Sequence, residues 1–216
     1  VSMLATKRIC PLGLTALARS FSKAARKPAA EHPWIAQVPS PESFKPEERI
    51  LTFLAANSAA GKLSNVEQDW LHLPSEFHGH GLEIILQAHT LAGFPRIINA
   101  LTKIHEVGVD VTDKRHLDEK PNLDEWRNNG RETLRHVYGM ISSKMLQNFR
   151  SVHPLLESIL VEHIYGRVLS RPLVDLRIRE MCTVSIIAGQ NIPTQLLSHI
   201  RGSIRCGASP EEVSTV

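Results

Sequence analysis

Residues 153–213, HPLLESILVEHIYGRVLSRPLVDLRIREMCTVSIIAGQNIPTQLLSHIRGSIRCGASPEEV, decide the fold of this chain. Apolar Leu155, Leu156, Ile159, Leu160, Ile164 and Val168 recur at three- and four-residue intervals, which predicts a helix with one apolar face. It stops at Arg171-Pro172, because the residue before a proline is driven away from helical backbone. Asp175 can accept from the free amides of a first turn, so a second helix is predicted from Leu176 to about Ala188, ended by Gly189. A third runs from about Pro193 to Cys206, with Gly207 free to take the left-handed conformation that closes a helix. The second and third helices form an antiparallel hairpin. Ser209-Pro210-Glu211-Glu212 then supplies an N-cap, a first-turn proline and a capping-box glutamate, and the sequence ends about one turn later at Val216.

Upstream, Asp124 is the expected cap of a helix from Glu125 to about Asn148, with Trp126, Leu134, Val137, Tyr138, Ile141, Met145 and Leu146 on its buried side. EFHGHGLEIILQAHTLAGFPRIINALTKIHEVG, residues 76–108, predicts a long helical stretch interrupted at Gly93-Phe94-Pro95, where proline removes an amide. Two more helices are predicted, from Glu47 to about Ala60 and from Leu63 to Leu73. No stretch alternates with a period of two, so the class is all-α.

The first 30 residues hold Lys7, Arg8, Arg19, Lys23, Arg26 and Lys27 with no Asp or Glu, the composition of a mitochondrial transit peptide. A mitochondrial matrix location is therefore expected. Six of the chain's 25 cations lie there, so 19 against 22 acids leave residues 31–216 at −3, a balance with no general attraction for nucleic acid. No run approaches the roughly 20 apolar residues of a membrane-spanning helix. Residues 31–46 carry four prolines and read as a linker or arm, and residues 106–124 read as a charged connection between two helical units, 47–105 and 125–216. Val1-Ser2 ahead of Met3 and the end at Val216 read as an incomplete sequence, with the second unit cut short.

Glu180 is the most informative single residue. Leu176, Val184 and Ile187 share its helix face, so its carboxylate falls within an apolar stripe, where desolvation opposes the charge unless a partner is present. His199 lies on the next helix beside the stripe of Leu196, Ile200 and Ile204, and a hairpin can bring the two together. Such a pair can move a proton in a poorly hydrated pocket, or it can be a structural ion pair holding the hairpin. HGHG at His78 and His80, with His72 and His89 nearby, does not place enough ligands on one side for a metal site, and none is expected. The run Ala59-Ala60-Gly61-Lys62-Leu63-Ser64 lacks the first glycine and the residue pattern of a phosphate loop.

RPLVDLRIRE, LLSHIRGSIRCGASPEEV and the upstream HPLLESILVEHIYGRVLSRP together resemble the carboxymuconolactone decarboxylase and alkylhydroperoxidase D superfamily, densely over residues 126–213, with LEIILQAHTLAGFPRIINALTKI at 82–104 similar to a helix of the same family. The resemblance implies an alkylhydroperoxidase D-like helical fold of two related units, the first blurred. Placing Glu48 opposite Glu180 sets Glu67 opposite His199, so the first unit is expected to be structural. In the peroxidase branch two cysteines follow the glutamate, and counting from Glu180 they fall on Ile192 and Gln195, while the family's histidine falls on His199. Both redox cysteines are thus missing, and the decarboxylase branch is the better match.

The function the resemblance implies is cofactor-free decarboxylation of a small carboxylated lactone to an enol-lactone. Glu180 and His199 would move the proton, with Arg171, Arg179 and His163 as binders of the carboxylate or lactone. Arginine suits a carboxylate because its fork donates two parallel hydrogen bonds, although Arg171 and Arg179 equally suit interhelical ion pairs. A small-molecule substrate and a homo-oligomer, trimer or hexamer, are the implied partners. The alternatives are a non-catalytic helical subunit of a mitochondrial complex and, less favoured, a peroxidase of the alkylhydroperoxidase type.

Overall fold

The structure is a computed structural model that describes residues 41–108 and 120–216. Every regular element among them is helical, as the absence of period-two alternation predicts. Ten helices are used below: α1 Pro46–Ala60, α2 Leu63–His72, α3 His78–Ala92, α4 Phe94–Glu106, α5 Leu123–Tyr138, α6 Ser142–Val152, α7 Pro154–Ser158, α8 Leu176–Gly189, α9 Pro193–Arg205 and α10 Pro210–Ser214. Helix α7 runs without a break into a π-helix, Ile159–Leu169. No helix among the described residues is long and apolar enough to cross a membrane. The transit-peptide reading of residues 1–30 and most of the proposed arm and connection fall outside the described residues.

The chain stops its helices where the local chemistry says it should. Gly61 closes α1 at φ 72°, and Gly93 at φ 81° separates α3 from α4 with Pro95 in the new first turn. Asp175 accepts from the Ile178 amide at 2.8 Å, and the capping box predicted at α10 is present, with Ser209 and Glu212 satisfying each other's backbone amides.

Two expectations are corrected. The cap of α5 is Asn122, whose side chain accepts from the Glu125 amide at 3.1 Å, and the predicted helix to Asn148 is broken at Gly139, whose φ of 61° ends α5. The apolar stripe read over 155–168 is also only partly buried. Leu155 and Ile159 are exposed, while Val161, Tyr165, Val168 and Leu169 face inward. The wider π winding rotates the buried face away from the one that α-helical periodicity assigns.

Two cores result. α1 to α4 and α8 enclose Leu51, Leu54, Trp70, Ile84, Ile85, Ile104 and Met181, whereas α5, α6 and the π-helix enclose Leu134, Val137, Tyr138, Leu146, Val161 and Tyr165. Helix α8 is buried at every position from Ile178 to Ile187, and α9 packs on both α8 and α5. In the second core two backbones touch through glycine. A Cβ on Gly130 would stand 1.9 Å from the Val161 carbonyl oxygen, and one on Gly166 would stand 2.0 Å from that of Trp126. A methyl group there meets rigid backbone, so Gly130→Ala should cost about 3 kcal/mol or more, read as a lower urea midpoint at unchanged m-value.

Candidate functional site

The capped start of α8 fixes the direction of the next turns, and Glu180 comes to lie in the helix interior with no solvent exposure. A turn at Gln190–Ile192, with Asn191 left-handed at φ 55°, sends α9 back antiparallel. His199 Nδ1 then lies 2.9 Å from Glu180 Oε2. A carboxylate only accepts, so Nδ1 carries the proton of this bond and neutral His199 leaves Nε2 as a bare acceptor. Gly202, one turn further on α9, leaves room for the acid: a Cβ there would sit 2.7 Å from Oε2. The second oxygen, Oε1, is buried without a hydrogen-bond partner.

His199 lines a cavity of about 230 Å³ at the junction of the two cores. Its walls come from the end of α3, the end of α5, α6, the π-helix, α8 and α9. Leu91, Phe149, Leu160, Ile164, Leu169, Ile187 and Ile192 make it largely apolar, and no Lys, Arg, Asp or Glu among the described residues lines it. The volume falls below the usual 300–1,000 Å³ of drug-sized sites, so a small ligand fits. Ile192 and Gln195, the positions where the peroxidase branch would carry its cysteines, are part of the wall.

Among the other polar residues of the wall, with Thr90, Thr183, Gln190 and Gln195, are Tyr138 and Tyr165, whose hydroxyls are 2.9 Å apart. Burial pushes Tyr138 up to about 12, with the Glu180 charge adding to the rise, and pushes Tyr165 well above the ordinary tyrosine value, with Tyr138 and Glu180 contributing. Both stay neutral donors across the physiological range. Cys206 is likewise pushed up to about 12 by burial and by Glu180, and burial raises Cys182 further still. Neither thiol among the described residues offers the thiolate that peroxide reduction needs.

The three residues expected to bind substrate are placed elsewhere. Arg171 grips Glu83 with both nitrogens of its fork, Nε at 2.8 Å from Oε2 and Nη2 at 2.7 Å from Oε1. Arg179, fully buried, donates to Glu83 Oε2 at 3.0 Å and to Gln87 Oε1 at 3.1 Å. Burial alone would raise the Glu83 carboxyl, but the hydrogen bonds and charges of the two arginines outweigh it and the net shift is downward. These arginines therefore clamp the start of α8 and the segment before it to α3. Their charges are spent on Glu83 rather than offered to the cavity.

His163 turns to His89, Nε2 to Nε2 at 2.8 Å. His89 Nδ1 bonds the Leu86 carbonyl, so His89 Nε2 accepts and His163 Nε2 donates when both rings are neutral. In the first unit Glu48 pairs with Arg177 and Glu67 with Lys103. His78 of the HGHG run stacks on Trp70 at 4.4 Å.

The sequence reading missed Glu83 and Gln87. The signal was present: they stand four apart within Leu82-Glu83-Ile84-Ile85-Leu86-Gln87, polar residues in an apolar run, the same pattern that singled out Glu180. Tyr138, expected from its helix face as a core residue, and Tyr165 are the chain's two tyrosines, and both line the cavity.

Two curated proteins, both named Peroxisomal protein 2, are similar to this chain. The Saccharomyces cerevisiae protein is 24% identical over 164 residues, 62% of this chain and 56% of its own length. The Schizosaccharomyces pombe protein is 23% identical over 176 residues, 79% of this chain and 82% of its own. This chain thus spans little more than half of the first protein. No family model and no solved structure matches. The peroxisomal names overturn the mitochondrial matrix expectation, and with it the mitochondrial setting of the non-catalytic alternative. A basic, acid-free N-terminus is a compositional signal only, whereas peroxisomal entry relies on a short address read by a receptor, which composition does not register.

Proposed function

We propose that this chain is a cofactor-free acid–base enzyme of the carboxymuconolactone decarboxylase type, working in the peroxisome. The observation that carries the reading is the buried Glu180–His199 pair at an apolar cavity, with Oε1 of the acid left without a partner. A buried carboxylate oxygen with no partner among the described residues costs about 1–3 kcal/mol or more, and a proton-transfer role is one use that offsets it. Glu180 orients His199 through Nδ1, and His199 Nε2 exchanges a proton with the ligand.

In a decarboxylation, the bond between carbon and the departing carboxylate breaks and its electron pair passes into the neighbouring carbonyl system as an enolate. Carbon dioxide leaves, and His199 delivers a proton to carbon and is reprotonated from solvent. The peroxisomal setting rests on the names of the two relatives.

The test is to incubate the purified protein with a series of carboxylated five-membered lactones, following carbon dioxide release and the ultraviolet absorbance of the enol-lactone. Release that depends on His199 supports the reading, and no release from any member overturns it.

We also propose a homo-oligomer. Met140, Ile141, Val152, Leu155 and Ile159 are exposed along one short run of chain, apolar side chains that a second copy could cover. A native mass of three or six chains by light scattering is the expected result, and a monomer would remove this proposal.

A further inference from the structure

The tyrosine pair has one proton more than it uses. Two phenols carry two O–H groups, and their mutual bond at 2.9 Å consumes one. The other has no protein acceptor among the described residues, and both side chains face the cavity. The rings are fixed: Tyr138 meets Tyr165 edge-on at 6.0 Å and His199 at 6.1 Å, and both tyrosines are buried. A hydroxyl that accepts one hydrogen bond becomes a better donor of the next, so the spare O–H is a preorganised, polarised donor within the same cavity as His199.

We propose that Tyr138 and Tyr165 form the oxygen-binding group of this cavity, donating to the carbonyl oxygen of an uncharged ring carbonyl, a lactone or ketone. This rests on the proton-transfer reading of Glu180 and His199 and adds the electron sink to it. As the carboxylate leaves, or as a proton is removed from the carbon beside the carbonyl, negative charge builds on that oxygen. The spare O–H then shortens its bond to the enolate, and no proton need be lost from the pair. The high proton affinity that burial gives both phenols keeps them donors throughout. No Lys or Arg among the described residues lines the wall, so the tyrosine pair offers a hydrogen bond without a fixed positive charge, which suits the neutral carbonyl of the ring.

The test reads binding and not turnover, so it is independent of whether the chain decarboxylates anything. Indanone and indane have the same ring system, and only the first has a carbonyl. Isothermal titration of wild-type protein with each should show indanone bound about tenfold more tightly, the value of one well-placed hydrogen bond. In the Tyr138→Phe/Tyr165→Phe double variant that preference should fall to near unity while indane affinity is unchanged, since phenylalanine keeps the ring packing, whereas either single variant keeps one O–H and with it part of the preference.

An undiminished preference for indanone in the double variant overturns the proposal. So does equal affinity for both probes in wild type, or binding of neither. Loss of lactone turnover in His199→Ala with the probe preference intact supports both readings. Intact preference with no turnover in wild type retains the oxygen site and sinks only the enzyme.

Discussion

His199→Ala should lower turnover by about 10²- to 10⁴-fold, the range for loss of a positioned general acid or base, with the helical circular-dichroism spectrum unchanged. The more informative partner variant is Glu180→Gln. The glutamine oxygen can still accept from Nδ1–H, so the imidazole keeps its tautomer and direction, but the neutral amide no longer stabilises the charged ring that forms during proton transfer. Activity should therefore fall by a similar factor.

Stability should move the other way or not at all. Glu180 is fully buried and one of its oxygens has no partner, so replacing the charge with an amide removes a desolvation cost and the Tm should hold or rise. The outcome separates the two meanings of the pair. A drop in Tm with no loss of turnover would make Glu180 and His199 a clamp of the α8–α9 hairpin. A drop in turnover at equal or higher Tm makes them the working groups.

Glu83→Ala should be the most destabilising single change, about 3–5 kcal/mol, or a Tm loss on the order of 10 °C for a chain of this size. The alanine would remove the carboxylate shared by Arg179, with no solvent exposure, and the largely buried Arg171. The same network predicts an acid limb. The Glu83 carboxyl is held below its ordinary value in the folded state, so its contribution is full above the unfolded value of about 4.3 and is lost as pH falls through the lower folded value. Wild type should lose stability in that window in equilibrium unfolding, and the part contributed by Glu83 should be missing in Glu83→Leu/Arg171→Met/Arg179→Met. That triple variant, with all three charges of this network removed, should recover most of the loss seen in Glu83→Ala. An unchanged Tm in Glu83→Ala would show that the clamp does not hold the fold.

Where helices begin and end was written locally. Asp175, Pro193, Gly207 and the Ser209–Glu212 capping box act on amides within a turn or so, and each stands in the structure where the sequence places it. The errors were also local in origin. Asp124 and Asn122 both suit a helix cap, and the spacing alone did not rank them. The π winding of Ile159–Leu169 accompanies a close approach of Gly166 and Gly130 across two helices, a contact that a one-helix periodicity does not contain.

By itself the sequence determined an all-helical chain, a buried acid at Glu180 and a hairpin able to bring His199 to it, because helix periodicity and capping are properties of neighbours in the chain. Only the tertiary structure decided what the arginines do. Glu83 meets Arg171 and Arg179 from 88 and 96 residues away, and the partner a buried charge finds is set by which helices pack, not by its own surroundings in sequence. The same holds for the cavity: its wall draws on six helices, and the two tyrosines, 27 residues apart, meet as a hydrogen-bonded pair only when α5 and the π-helix lie backbone against backbone.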